Sequence, residues 1–472
     1  MRNKMLENAP LVKLLVCLMA GLTAGKYILI ELPLLPVFAG VVAVALLAWQ
    51  YEYIQSAAIA ACCLLLGMLL IQRQRQQGQT KWPDGEVCYE AVVMSRPAEK
   101  PRTMAVDVVL TGSGRKLKCY LYKDERSRRL DIGDGLRACS VIKADGTTFV
   151  RSWKWQKVRL SLEGLPRMDR TRLYFLKLRS RLLQRYLEQG LDGDQYAVVA
   201  AMALGDKSAL TKGLKDTYSI TGASHVLALS GLHLGIIYAL LALLVPGRRW
   251  QIASSVLVVS AIWAFVFLAG TSVSVVRSAV MVSTYALLSL GHRERMSVNT
   301  LAFAAIVILV CSPSSLFDVG FQMSFMAVLS ILVWMPLFDR AFPQEFLMSH
   351  PVVKWCWGLV SVSCAAQIGV APLIAYYFGR FSTYFLLTNM VVVPLTTLIL
   401  YLSLMVMAVP SLAYLLLYIV SWLNMFLTWM AGLPGASIEN LQPSWLQVLM
   451  VYVIIGAVRM LLTYIPASGA RR

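Results

Sequence analysis

The sequence predicts a mostly α polytopic membrane protein, with about 10–12 transmembrane helices and one inserted small all-β domain. Three observations lead there. Apolar residues make up 58% of the 472, only 15% are charged, and mean hydropathy is +0.64. Soluble domains run at about 45–50% apolar and about 25% charged. Apolar runs of span length flank a single polar stretch, and that stretch alternates polar and apolar residues. Disorder, coiled coil, collagen and a single soluble globule are excluded. Twelve spans of roughly 20 residues use about 240 positions, which leaves room for one soluble domain of about 100 residues.

Residues 1–72 hold three N-terminal spans, at about 11–30, 34–49 and 54–71. The first is too long for a signal peptide, carries Lys26 and runs into further spans, so it reads as an uncleaved helix. Residues 72–80 are a polar exit. Residues 80–168 change period. Five alternating stretches (EVCYEAVVMS, MAVDVVLTG, KLKCYLYK, LRACSVIKA and the segment from Thr147 to Leu165) are separated by turn signals at Arg96-Pro97, Gly112-Ser113-Gly114, Asp131 to Gly135 and Asp145-Gly146. Five short strands in about 85 residues fit a small barrel, of which the oligonucleotide-binding (OB) type is one candidate.

Residues 169–222 are a third region. In DRTRLYFLKLRSRLLQRYLEQ, Leu173, Leu176, Leu183 and Leu187 approximate one helical face, with Arg172, Lys177, Arg179, Arg181 and Arg185 on the rest. Such a basic amphipathic helix is expected on a membrane surface rather than across it. A mildly apolar helix after Asp194 stops at Leu204-Gly205-Asp206-Lys207. Residues 223–466 complete the chain, with spans expected at about 223–245, 251–270, 273–290, 298–312, 317–337, 355–378, 384–409, 411–431 and 445–465.

Net charge is +19, and 14 of those charges fall between Arg73 and Arg185, where 26 Lys and Arg face 12 Asp and Glu. With the N-terminus in the cytoplasm, three spans place the β domain outside. The basic loops Gly247–Arg249 and His292–Arg295 and the terminal Arg471-Arg472 then fall inside, as the positive-inside rule asks. Long domains cross regardless of charge, so topology does not account for the basic β domain, and a polyanionic ligand does. Six of the nine cysteines (Cys17, Cys62, Cys63, Cys311, Cys356, Cys364) lie in apolar runs as small packing residues. Cys88, Cys119 and Cys139 lie in the β domain. In an oxidising compartment they supply one disulfide and one free thiol, with the pairing open. No CxxC exists, so no zinc and no other metal or cofactor is expected.

Four polar constellations interrupt the spans. Thr221 to Gly235 carries His225, Ser230 and His233 where a span begins. Ionisable groups in a membrane face a cavity or a partner. The two histidines are eight residues apart, roughly 12 Å along one helix, which argues against a shared metal. Three readings remain: a polar lining for a water-filled path, ordinary interhelical hydrogen bonds, or a hydrolytic Ser230–His233 pair at i,i+3. Gly270 to Ser278 places Arg277 just inside an apolar run, to snorkel or to bind phosphate through its planar fork. Ser312 to Phe325 combines a helix-breaking Pro313 with Asp318, Gln322 and Ser324. Asp318 is either an exposed N-cap or the partner of Arg277. Ala371-Pro372-Leu373, Gly379-Arg380-Phe381, Thr388-Asn389 and Pro394 suggest kinked or broken helices around a cavity.

In the β domain, basic and aromatic residues interleave: Lys118, Tyr120, Tyr122 and Lys123, then Trp153, Lys154, Trp155 and Lys157. Charge plus stacking platforms serves sequence-tolerant binding of single strands. Tyr and Trp at this spacing also occur as ordinary strand residues and membrane-interface anchors.

Taken together, the segments resemble the ComEC family of DNA-uptake channels. GASHVLALSGLH, GTSVSVVRS, DVGFQMSF and APLIAYYFGRFSTYFLLTN match that family's central motifs in the same order, and ALGDKSAL (residues 203–210) matches the segment upstream. The match covers about residues 195–400. The resemblance implies an inner-membrane protein with an extracytoplasmic OB-type domain, passing one DNA strand inward during natural transformation. It places His225, Ser230, His233, Arg277, Asp318 and Gln322 near the conduction path. Asn389, in the fourth matching segment, joins them. Many members carry a C-terminal metallo-β-lactamase-like domain. This chain has no HxHxDH cluster, so a channel without nuclease activity, and not an enzyme, is expected. Expected partners are single-stranded DNA, a periplasmic DNA-binding competence protein, a cytoplasmic motor or single-strand-binding protein, and the lipid bilayer. The motor is external because no GxxxxGK[ST] loop exists. A small-molecule or lipid-intermediate transporter and an intramembrane hydrolase using Ser230 and His233 are the rival classes.

Overall fold

The computed structural model describes residues 10–28, 34–78, 82–83, 85–160, 164–244, 251–289 and 297–464. The basic loops Gly247–Arg249 and His292–Arg295 and the terminal Arg471-Arg472 lie outside the described residues. Three helices open the chain: α1 (Pro10–Tyr27), α2 (Leu34–Leu47) and α3 (Glu52–Gly78). Small residues let α1 and α3 touch backbone to backbone. A β-carbon on Gly67 would lie 2.6 Å from the Leu18 carbonyl oxygen. The far end of this hairpin docks beside Ser314 and Phe317. The Gln74 amide donates to Ser314 Oγ (2.9 Å), and the Lys26 ammonium sits 3.6 Å from the Phe317 ring centre.

The polar stretch folds into seven strands: β1 (Glu86–Val93), β2 (Ala98–Glu99), β3 (Thr103–Leu110), β4 (Lys116–Tyr122), β5 (Gly135–Val141), β6 (Thr147–Val150) and β7 (Trp155–Val158). The sheet order is β6-β4-β3-β1-β5-β7, with β2 paired to β3. Four of the five expected strands are present as read. The fifth splits at Ser152–Lys154 into β6 and β7. The sheet is mixed because β6 runs parallel to β4. The ladder does not close: only the isolated bridge Ile142–Thr148 links the β5 side to β6. The expected small barrel is thus seen here as a small mixed sheet without closure. Period-2 alternation sets its faces. Leu117, Cys119 and Leu121 point into a core with Val106, Val108, Leu136 and Val150, while Lys116, Lys118, Tyr120 and Tyr122 point outward.

Cys88 and Cys139 face each other across β1 and β5 and form the disulfide. It closes a separation of 51 residues and contributes about 2–4 kcal/mol by restricting the unfolded chain. Cys119 is the free thiol. It is fully buried and lies 3.6 Å from the Tyr89 hydroxyl, and burial pushes its pKa up to about 11, so it stays a protonated core residue.

The basic amphipathic helix is α4 (Arg167–Glu188). Leu173, Leu176 and Leu183 are buried as expected, but Leu187 is 46% exposed and Tyr186 takes its place inward. The helix does not rest on lipid alone. Leu173 and Leu176 pack on Val92, Met94 and Val109 of the sheet. Phe175 stacks on Phe267, and the Tyr186 hydroxyl donates to the Ser403 carbonyl (2.9 Å). It thereby couples the sheet to the helical bundle.

The bundle comprises α5 (Gly193–Leu204), α6 (Lys212–Ile220), α7 (Ser224–Leu227), α8 (Gly231–Leu244), α9 (Gln251–Leu268), α10 (Val273–Ser289), α11 (Val298–Cys311), α12 (Val319–Phe338), α13 (Pro351–Phe378), α14 (Phe385–Val406), α15 (Ala413–Ala431) and α16 (Trp445–Tyr464). Across the described chain seven helices are long and apolar enough to cross a membrane, and five shorter apolar helices accompany them. Each of the twelve expected spans corresponds to one of these. The expected span 223–245 is the exception in detail: extended backbone at Ala228 separates α7 from α8, so the apolar helix starts at Gly231. Helices α13 and α14 run through Pro372 and Pro394 without interruption. The break between α7 and α8 thus lies at residues 228–230, and neither Pro372 nor Pro394 interrupts its helix. Helix α5, buried from Ala197 to Leu204, forms the core with α14 and α15 and ends at Gly205 in left-handed geometry. A two-stranded ribbon, β8 (Phe381–Ser382) with β9 (Ser437–Ile438), ties the α13–α14 turn to the segment before α16.

Candidate conduction site and nucleic-acid interface

The four polar constellations are linked pairwise by the fold. Ser230 ends the break before α8, and its backbone N–H donates to His233 Nδ1 (3.4 Å), with Ser230 Oγ at 3.2 Å from the same nitrogen. An accepting Nδ1 leaves the ring proton on Nε2. His233 is fully buried, and its Nε2 has no protein partner among the described residues. The hydrolytic pair therefore has its i,i+3 contact but, among the described residues, no carboxylate bonded to the imidazole. Gly231 brings α8 against α10, where a β-carbon would be 3.5 Å from Ser278 Oγ.

One residue before Ser278 sits Arg277, 4% exposed. Burial excludes snorkelling. Its Nη1 donates to Asp318 Oδ1 (2.8 Å), and the Phe321 N–H donates to the same oxygen (2.9 Å). Asp318 thus does both things expected of it: it caps α12 and pairs with Arg277. The pair is asymmetric, with side-chain exposures of 5% for Arg277 and 48% for Asp318, and Arg277 Nε has no protein partner among the described residues. Gly320 leaves room for this pair. A β-carbon there would fall 2.6 Å from Arg277 Nη2.

Gln322, one turn further along α12, donates to the Leu316 carbonyl (3.1 Å) and accepts from the Tyr377 hydroxyl (2.6 Å). Tyr377 belongs to the fourth constellation. Gly222, at φ +77, packs 3.1 Å from Ser382 Cβ by the same β-carbon construction, which returns the chain of contacts to the His225 segment. His225 itself is exposed, with Nδ1 3.0 Å from the Gly222 carbonyl. Asn389 Oδ1, Thr388 Oγ1 and Ser382 Oγ are buried without protein partners among the described residues. A buried polar atom left unpaired costs about 1–3 kcal/mol. Sequence reasoning missed Tyr377, Ser382 and Gly320, because only the fold brings them to the pair. No group of three or more His, Cys, Asp or Glu among the described residues is placed to hold a metal.

The outward face of the β domain is the second site. Tyr120 stacks on Phe149, ring centres 4.9 Å apart, through the parallel β4–β6 pairing. The Lys143 ammonium lies 5.0 Å from the Phe149 ring centre. Lys118 and Tyr122 share this face, Tyr122 being 45% exposed. Trp153 is 74% exposed, with the Arg151 guanidinium 5.5 Å from its ring centre. Trp155 corrects the sequence reading: it is 4% exposed and belongs to the core, because the turn at Ser152–Lys154 flips the alternation. Lys123, Lys154 and Lys157 are paired with Glu99 (2.7 Å), Glu86 (2.5 Å) and Asp134 (2.7 Å). Surface pairs of this kind are worth about 0–1 kcal/mol, so a phosphate can displace the acid. Phe149 escaped the sequence reading because its partner is on a parallel strand.

These features define a multi-pass membrane protein with polar contacts within an apolar bundle and a basic, aromatic sheet joined to it by one helix. The chain belongs to the competence protein family, whose model matches residues 202–464. Among similar proteins are ComE operon protein 3 of Bacillus subtilis (29% identical over 245 residues, 52% of this chain and 30% of the relative) and competence protein ComA of Neisseria gonorrhoeae (28% over 172 residues, 33% and 24%). Recombination protein 2 of Haemophilus influenzae is 25% identical over 227 residues, 46% of this chain and 29% of the relative. The chain thus spans less than a third of the length of these three relatives. No solved structure matches the chain.

Proposed function

We propose that this protein is a bacterial inner-membrane channel that passes single-stranded DNA into the cytoplasm during natural transformation. One observation carries the reading: four polar motifs far apart in sequence are linked pairwise, as in Arg277–Asp318 and Gln322–Tyr377, and leave buried polar atoms without protein partners among the described residues, in helices that are otherwise apolar. Family membership supports DNA uptake as the process. The β domain is read as OB-like and extracytoplasmic. The Cys88–Cys139 disulfide supports that side, because such bonds persist in oxidising compartments. The strand arrives from a periplasmic DNA-binding competence protein, lies on the Tyr120–Phe149 platform and its lysines, and descends past Arg277 and His233. A cytoplasmic motor or single-strand-binding protein draws it through. Arg277 meets phosphate as a fork already half-engaged by Asp318, which weakens its hold enough for release. The role is read as conduction rather than catalysis, in keeping with a His233 Nε2 that meets no carboxylate among the described residues.

The test is uptake of fluorescent DNA by a strain deleted for this gene and complemented with wild type. The deletion is expected to hold DNA in the periplasm, with cytoplasmic arrival restored by complementation. Unchanged cytoplasmic arrival in the deletion strain overturns the reading in favour of a small-molecule or lipid-intermediate transporter.

A further inference from the structure

Between the outward face of the sheet and α4 lies a cavity of about 580 Å³. Five basic side chains line it (Arg96, Lys116, Lys118, Arg172 and Arg179) against three acids. Two of the acids are engaged. Asp206 faces Arg179 at 3.4 Å and accepts from the Ser208 N–H, and Asp145 accepts from the Thr147 hydroxyl at 2.7 Å. Asp107 lies directly across from Lys118 in the β3–β4 register. Arg96 is held against α4 by its bond to Ser180 Oγ (2.7 Å). Arg172 is not satisfied: its Nε is buried with no protein partner among the described residues, though the side chain lines the cavity.

The cavity is continuous with surfaces already described. Lys118 and Tyr120 are two residues apart on β4 and share one face, so the stacking platform begins where the cavity ends. At the opposite end the lining includes Gly270 and Arg179, whose Nη1 lies 3.4 Å from the Ala269 carbonyl oxygen. Helix α10, which carries Arg277, begins three residues later at Val273.

We infer that this cleft binds the phosphodiester backbone of a single nucleic acid strand and hands it from the Tyr120–Phe149 platform to the mouth of the bundle. This rests on the reading of the chain as a DNA conductor. Arg172 and Lys116 are the principal phosphate contacts. Arg172 brings an unused donor into a concave, partly desolvated site, and Lys116 stands opposite it on the sheet. The platform supplies stacking, which tolerates any base, and the cleft supplies charge.

The test uses the full-length protein in detergent and a fluorescein-labelled thymidine 20-mer, with anisotropy read across a salt series. The double variant Arg172→Ala with Lys116→Ala is expected to bind at least tenfold more weakly, with its salt slope reduced by about 1.4, since each single-strand phosphate contact contributes about 0.7. Lys118→Glu, a substitution on the exposed strand face, is expected to weaken binding in the same direction without any change inside α4. Wild-type affinity and slope in both variants overturn the cleft while leaving DNA conduction standing. No oligonucleotide binding by the wild-type protein overturns the conduction reading itself. Unchanged oligonucleotide binding with lost adhesion to phosphatidylglycerol vesicles reassigns the cleft to a lipid headgroup.

Discussion

A strain carrying Arg277→Met together with Asp318→Leu is expected to keep the protein in its membrane and lose transformation by about 1000-fold, because an intramembrane cation on a path is there for its cargo. The reasoning rests on an asymmetry of paired charges. Replacing both partners of a buried pair with apolar residues of similar volume is often neutral for stability. Removing one partner is not. Asp318→Ala alone strands Arg277 in a site where it is 4% exposed, and costs about 3 kcal/mol, at the lower end for broken buried pairs because Asp318 is half-exposed. Both variants also lose the α12 N-cap, a cost of about 1 kcal/mol, so the single variant is expected to lower the amount of protein more than the double variant. Transformation frequency beside an immunoblot of the membrane fraction separates the two. Normal transformation by the double variant makes the pair purely structural.

His233→Leu is expected to lower transformation by at least about 100-fold, and Ser230→Ala by less than about tenfold, given that a single hydrogen bond is worth about 1 kcal/mol. Leucine fills the buried site but removes Nε2, which has no protein partner among the described residues. Alanine at 230 removes only the Oγ contact at 3.2 Å, and the backbone N–H of residue 230 still reaches Nδ1. A hydrolytic pair demands the reverse, because loss of the nucleophile abolishes turnover. Complete loss in Ser230→Ala with serine-reactive labelling of the wild type would sink the channel account.

The helices were legible because a span is a length and a composition, and both are local. Strands β1, β3, β4 and β5 were legible by their alternation and by the glycines of their turns. The β6–β7 division was not, since the turn at Ser152–Lys154 contains neither Gly nor Pro and continues the alternation by eye. That hidden turn also misplaced Trp155. The Arg277–Asp318 pair was anticipated as one of two alternatives for Asp318, and the structure realises both through a single oxygen. Tyr377 reaching Gln322, Phe149 stacking on Tyr120 and Arg172 opening into the cleft all depend on elements distant in sequence. No spacing rule announces them. Leu187 and Tyr186 exchange roles because α4 packs on protein, and its inward face follows the helices it meets.

The most direct measurement is to trap DNA in transit. A photo-reactive amino acid placed at position 389, beside the buried unpaired Asn389 site, is activated while cells take up labelled DNA. The same residue at position 449, where Leu449 is 51% exposed on α16, serves as the comparison. A DNA adduct at 389 and none at 449 is the expected result. Equal labelling at both positions, or none at 389 during active uptake, contradicts a path through this site.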